Sequence, residues 1–143
     1  MNKMSSRTKS NLKGVHPDLV MVITYALAIT EQDFFVSEGV RTLQRQQELY
    51  AQGRITKGNI VTNVDGVNKK SNHQIKSDGY GHAIDLYPVG FKNNDNLNNI
   101  KWENIYTAIK IASNNLGIPV AIGAYWKSFV DRPHIELGTR NWK

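Results

Sequence analysis

Apolar residues Leu19, Val20, Val22, Ile23, Ala26 and Leu27 recur at helical spacing behind Pro17, a residue suited to a first helical turn. They predict a helix with one face in the core, and they place His16 at the surface where that helix begins. Phe34-Phe35-Val36 reads as a short strand leading through Ser37-Glu38-Gly39-Val40-Arg41 to Thr42. Thr42 suits the N-cap of a second helix, Leu43 to Gln52, with Gly53 as its stop. Residues 54–80 are polar and rich in Gly, Asn and Lys, with one expected strand at Ile60-Val61-Thr62. Ala83-Ile84-Asp85-Leu86-Tyr87 reads as a strand ended by Pro88, and the Asn-rich stretch Asn93 to Asn99 as a turn or loop. Ile105, Ala108, Ile109, Ala112 and Leu116 give another amphipathic helix, closed by Gly117. Val120-Ala121-Ile122 and His134-Ile135-Glu136-Leu137 are the last strand candidates. Several strands are joined by loops too short for parallel crossovers. The pattern predicts an α+β fold: a small single domain, 1–143, with a mainly antiparallel sheet and flanking helices.

Bulk composition changes this picture little. At 143 residues, 40% hydrophobic and 21% charged, the chain has ordinary globular proportions and enough length for a real core. There are no cysteines, which excludes a thiolate-bound structural zinc. No apolar run reaches transmembrane length, so stable membrane insertion is not expected. Met1 to Lys9 carries charge with no continuous apolar stretch behind it and does not read as a signal peptide. The net charge of +6 favours an anionic partner: nucleic acid, a membrane surface or a polymer such as peptidoglycan. The basic residues are dispersed, with Lys69-Lys70 the only central doublet, so a nucleic-acid partner is not expected.

The candidate chemistry lies in three segments: Ser71-Asn72-His73, Gly81-His82-Ala83-Ile84-Asp85 and Asp131-Arg132-Pro133-His134. His73, Asp85 and His134 form a natural metal-binding set. Imidazole nitrogen and carboxylate oxygen both suit Zn²⁺, and three protein donors leave a fourth position open, as catalytic zinc requires. Zinc so held polarises a carbonyl and makes water a nucleophile near neutral pH. Asp131, three residues before His134, is placed to act as the base without ligating the metal. Arg41, at a strand-to-helix junction, suits a substrate carboxylate or a developing oxyanion. His82 competes for a ligand position, but on a strand it faces away from Asp85.

Ser71-x-His73, Gly81-x-Ala83-x-Asp85 and Asp131-x-Pro133-His134-Ile135-Glu136 resemble the motifs of the LAS metallopeptidases. That group includes D-Ala-D-Ala carboxypeptidases and dipeptidases and the phage L-alanyl-D-glutamate endopeptidases. Glu38-Gly39-Val40-Arg41-Thr42, with Gln46, Leu49, Tyr50 and Gly53, resembles the group's arginine-bearing segment. The match runs from about Phe35 to Leu137, in the family's order. The resemblance implies a zinc peptidase acting on peptidoglycan stem peptides, with His73, Asp85 and His134 on zinc, Asp131 as base and Arg41 on the substrate. Aspartate at 131 looks more like the phage endopeptidases, whereas the carboxypeptidase branch usually carries glutamate. A bare, monomeric catalytic domain with no wall-binding module looks like an endolysin of a phage infecting Gram-negative cells. It would be held in the host cytoplasm before release and act on periplasmic peptidoglycan. One departure is clear: Gln74 to Tyr80 intervene where the family usually has two residues. That insertion suits a solvated bulge, which would shape substrate access or bind a regulatory ion. A carboxypeptidase of the same group and a non-catalytic zinc domain, as in the amino-terminal hedgehog domain, are the alternative readings.

Overall fold

The computed structural model describes residues 2–92 and 100–142, and the Asn-rich stretch 93–99 lies outside them. Four strands form one sheet in the order β1-β2-β4-β3, with β1 at Phe34–Glu38, β2 at Ala83–Pro88, β3 at Val120–Ile122 and β4 at His134–Leu137. All three pairings are antiparallel, in line with the expected mainly antiparallel sheet. The helices are α1 (Ser6–Asn11), α2 (Pro17–Ile29), α3 (Leu43–Ala51) and α4 (Ile100–Leu116).

Helices α2 and α4 pack on each other and against one face of the sheet. Leu19, Ile23, Ile105 and Ile109 meet Val36, Ile84, Leu86, Ile122 and Ile135 there, all fully buried. Strand alternation therefore leaves Asp85, Tyr87, His134 and Glu136 on the other face. That face carries the cleft.

The N-terminal helix α1 has no apolar periodicity and was not legible in the pattern. Its polar residues serve the edge strand. The Val36 N–H donates to Thr8 Oγ1 at 3.0 Å, and Asn11 Nδ2 donates to the carbonyls of Val36 and Ser37 at 2.9 and 3.2 Å. Backbone groups that β1 would expose at the sheet edge are thus occupied.

The expected strand at Ile60-Val61-Thr62 does not form. This segment runs beside α3 with no strand neighbour, and Ile60 and Val61 are exposed. Side chains take its polar groups instead: Arg54 donates to the Thr62 carbonyl, and Gln46 Nε2 donates to Val64 O at 2.7 Å. β-branched residues without a sheet edge to join make an extended loop. Thr42 caps α3 as expected, its Oγ1 accepting from the Arg45 N–H, and Gly53 follows in the left-handed conformation.

Candidate metal centre and cleft

Strand register brings the central residues together. Asp85 pairs directly with His134 across the β2–β4 ladder, and Glu136 follows two residues on, along the same face. On the other side of β2, a bulge sets both Ser37 and Glu38 against Asp85. Regular pairing would turn Glu38 toward the core; the extra residue keeps it in the cleft. His73 enters from the long loop. Its backbone N–H is held by Ser71 Oγ, and its carbonyl accepts from the Arg41 N–H at 2.8 Å.

His73 Nε2 lies 3.4 Å from Asp85 Oδ1, and His134 Nδ1 lies 3.5 Å from the same oxygen. Tetrahedral zinc with bonds of about 2.0–2.1 Å places neighbouring donor atoms about 3.3 Å apart. His73 Nε2 and Asp85 Oδ1 are buried and have no hydrogen-bond partner, a costly state unless something else engages them. The donor set, its spacing and these two orphaned atoms fit a single zinc-type ion.

The outer nitrogens explain which lone pairs point inward. His73 Nδ1 is 2.9 Å from the Gly39 carbonyl, so the proton belongs on Nδ1 and the Nε2 lone pair faces the centre. His134 is the reverse: Nε2 lies 2.7 Å from Glu136 Oε1, which leaves Nδ1 for the centre. Asn72 donates to the second Glu136 oxygen at 2.9 Å and fixes the carboxylate. Gly39 is required where it stands, because a Cβ there would fall 1.8 Å from the Asn11 carbonyl.

Charge follows the same geometry. Burial opposes ionisation of Asp85, but the facing His134 and His73 rings outweigh it and hold the carboxyl far below its ordinary range. Burial also opposes charge on His134, yet Asp85 and Glu136 raise it to about 9. Asp131 Oδ2 lies 3.9 Å from His134 Nδ1. Burial, then the nearby Asp85 charge, pushes the Asp131 carboxyl up, the direction that makes a carboxylate a better proton acceptor. Gly123 lets its turn pack, since a Cβ there would lie 2.2 Å from the Asp131 carbonyl.

Arg41 is anchored on three sides. Its Nε donates to Glu38, one terminal nitrogen donates to Gln46 at 2.8 Å, and the other lies 3.5 Å from Asp85 Oδ2. Gln46 is fully buried, so the guanidinium is held by the fold rather than by solvent. The surrounding cleft, about 720 Å³, is lined by all five expected residues together with Glu38, Glu136, Tyr87 and Trp126.

His82 stands apart. It precedes β2, lies beyond the cleft 2.6 Å from Asp78, and lines a different cavity. Glu38, Gln46 and Glu136 were not singled out from sequence as supports. The i, i+2 spacing of His134 and Glu136 on a strand carries a usable signal for the last. Nothing local marks Glu38, because its orientation depends on the bulge.

Two imidazoles and a carboxylate around one point, with a further carboxylate beside them on an open cleft, are the kind of site metal-dependent hydrolases use. The sequence model of the phage L-alanyl-D-glutamate peptidase family matches residues 1–139, and this chain belongs to that family. It is similar to the peptidoglycan L-alanyl-D-glutamate endopeptidase CwlK of Bacillus subtilis (strain 168), with 34% identity over 115 residues. That alignment covers 73% of this chain and 60% of CwlK, so the chain spans less than two thirds of this relative's length. The fold is similar to the crystal structure of the Serratia marcescens L-Ala D-Glu endopeptidase ChiX, with TM-score 0.69 and 31% identity. The superposition covers 94% of this chain and 89% of that one. Both agree with the LAS-type resemblance of the motifs.

Proposed function

We propose that this protein is a zinc-dependent peptidoglycan peptidase of the endolysin type, hydrolysing the L-Ala–D-Glu bond of the stem peptide. The observation that carries the reading is the convergence of His73 Nε2, Asp85 Oδ1 and His134 Nδ1 in the cleft with Asp131 beside them. Family membership supplies the bond. His73, Asp85 and His134 hold the zinc, which polarises the scissile carbonyl and activates water when bound. Asp131 takes the proton of the attacking water and returns it to the departing amine. Arg41, fixed by Glu38 and Gln46, binds a substrate carboxylate or the developing oxyanion. Arg45, Lys69 and Lys70 also line the cleft and suit a substrate that carries carboxylates. Among the described residues no helix is long and apolar enough to cross a membrane. The protein acts as a monomer, is held in the host cytoplasm before release, and meets its substrate in the periplasm.

The test is mass spectrometry of Gram-negative peptidoglycan digested by zinc-loaded protein, with a chelated control. New amino-terminal D-Glu on released stem peptides, absent from the control, is the expected result. Loss of terminal D-Ala instead would assign the carboxypeptidase reaction, and intact peptides with zinc bound would overturn a catalytic role.

A further inference from the structure

The insertion between His73 and β2 closes a second cluster of donors on the far side of Gly81. Asp78 sits at the tip of its turn, where Lys76 N–H donates to the Tyr80 carbonyl and Gly79 N–H to the Lys76 carbonyl. Asp78 Oδ1 accepts from the Tyr80 N–H at 3.0 Å, which aims Oδ2 at two imidazoles. His82 Nε2 is 2.6 Å from that oxygen and His16 Nε2 is 3.8 Å from it. The two rings stand edge to face at 5.2 Å. All three donor atoms lie within 4.8 Å of one another, beside an open cavity of about 730 Å³ with room for water ligands.

We propose that His16, Asp78 and His82 form a second site for a divalent zinc-type ion, separate from the cleft, that clamps the inserted turn to the start of α2. Two imidazoles and one carboxylate favour zinc or nickel over calcium or magnesium, which take oxygen-rich shells. The scaffold already holds the three residues near one another. His16 N–H donates to the Gly81 carbonyl at 2.9 Å, and Gly81 N–H to the Gly14 carbonyl at 3.0 Å. The separations of 2.6 and 3.8 Å straddle the zinc edge of about 3.3 Å, so the ion draws His16 in and moves Asp78 back. Asp78 is on an exposed turn and can make that shift.

Ion binding has a distinct cost at His16. Its Nδ1 accepts the Asp18 N–H at 3.0 Å, so the neutral ring carries its proton on Nε2. Coordination through Nε2 moves the proton to Nδ1 and releases the Asp18 amide from its cap. Occupancy therefore leaves a mark on one named amide.

Equilibrium dialysis of the full chain against excess zinc, with metal quantified, tests the clamp. The wild-type protein is expected to hold two equivalents. His16→Asn keeps a capping side chain and is expected to hold one, as are His82→Gln and, through loss of the other site, His134→Ala. In the wild type, filling the second equivalent is expected to shift the Asp18 amide resonance and slow hydrogen exchange across 76–82. A single equivalent that disappears in His134→Ala would overturn the proposal and leave an ion-pair cluster only. Two equivalents retained in His82→Gln would overturn it as well. A single equivalent that survives in His134→Ala but is lost in His82→Gln would keep the second site and refute the cleft assignment instead.

Discussion

Replacing Glu136 with alanine removes the acceptor that holds the outer proton of His134, 2.7 Å away, without touching any of the three inward donors. Loss of such a partner typically weakens metal binding about 10–100-fold, or about 1.4–2.7 kcal/mol. A second effect opposes it. In the metal-free protein His134 is raised to about 9, so at pH 7 zinc must displace a proton, at an expense of about 100-fold in apparent affinity. Glu136 is one cause of that raised value, and its removal eases proton competition. The two effects partly cancel at pH 7 and separate by pH 9, where about half of His134 is already deprotonated and the proton competition has fallen to about twofold. Glu136→Ala is therefore expected to bind zinc more weakly than wild type by a factor that grows from pH 7 to pH 9. Chelator competition at both pH values measures it, using His82→Gln as the background so that only the cleft site reports. Affinities within twofold of each other at pH 9 would show that Glu136 does not position His134, and the account of the two tautomers would fail.

Asp131→Asn is expected to keep zinc and lose about 10²–10⁴ in turnover, read by peptide release at saturating zinc; near-native turnover would remove Asp131 from the base role. Gly123→Ala puts a methyl 2.2 Å from the Asp131 carbonyl, so the Asp131–His134 turn must shift. A fall in kcat comparable with that of Asp131→Asn, with the circular dichroism spectrum unchanged, is the expected result. In chelated protein, the raised His134 contributes stability that is full below about pH 6.5 and lost as pH rises through about 9. The depressed Asp85 contributes stability present above its ordinary value of 3.8 and lost as pH falls further. Chelated protein should thus melt at a lower temperature at pH 9.5 than at pH 6.5, and saturating zinc should reverse the ordering. Ile84→Ala empties a fully buried position on the central strand directly behind Asp85, and a loss of about 2–5 kcal/mol is expected in urea titration.

The amphipathic helices 17–29 and 100–116 were legible because each buries one continuous face, and a helix writes that face into local spacing. The strands at Phe34, Ala83, Val120 and His134 were legible as short apolar runs between turn residues. The failed strand at Ile60 had the same composition and differed only in lacking a neighbour, which no local pattern records. Helix α1 is the converse case: polar residues made helical by an edge strand that needs their hydrogen bonds.

For the site, sequence alone singled out His73, Asp85, His134, Asp131 and Arg41, which the fold brings to one cleft, because metal ligation and proton transfer restrict residue types severely. It also set His82 apart from Asp85, and the structure does place His82 outside the cleft, although just before β2 rather than on it. Tertiary structure decided the rest. Only the β2–β4 register sets Asp85 opposite His134, and only the bulge in β1 turns Glu38 toward Arg41. The Gly39 carbonyl and the Glu136 carboxylate choose which nitrogen of each imidazole faces inward. These are relations between segments distant in the chain or dependent on pairing, and a linear pattern does not encode which segments will meet.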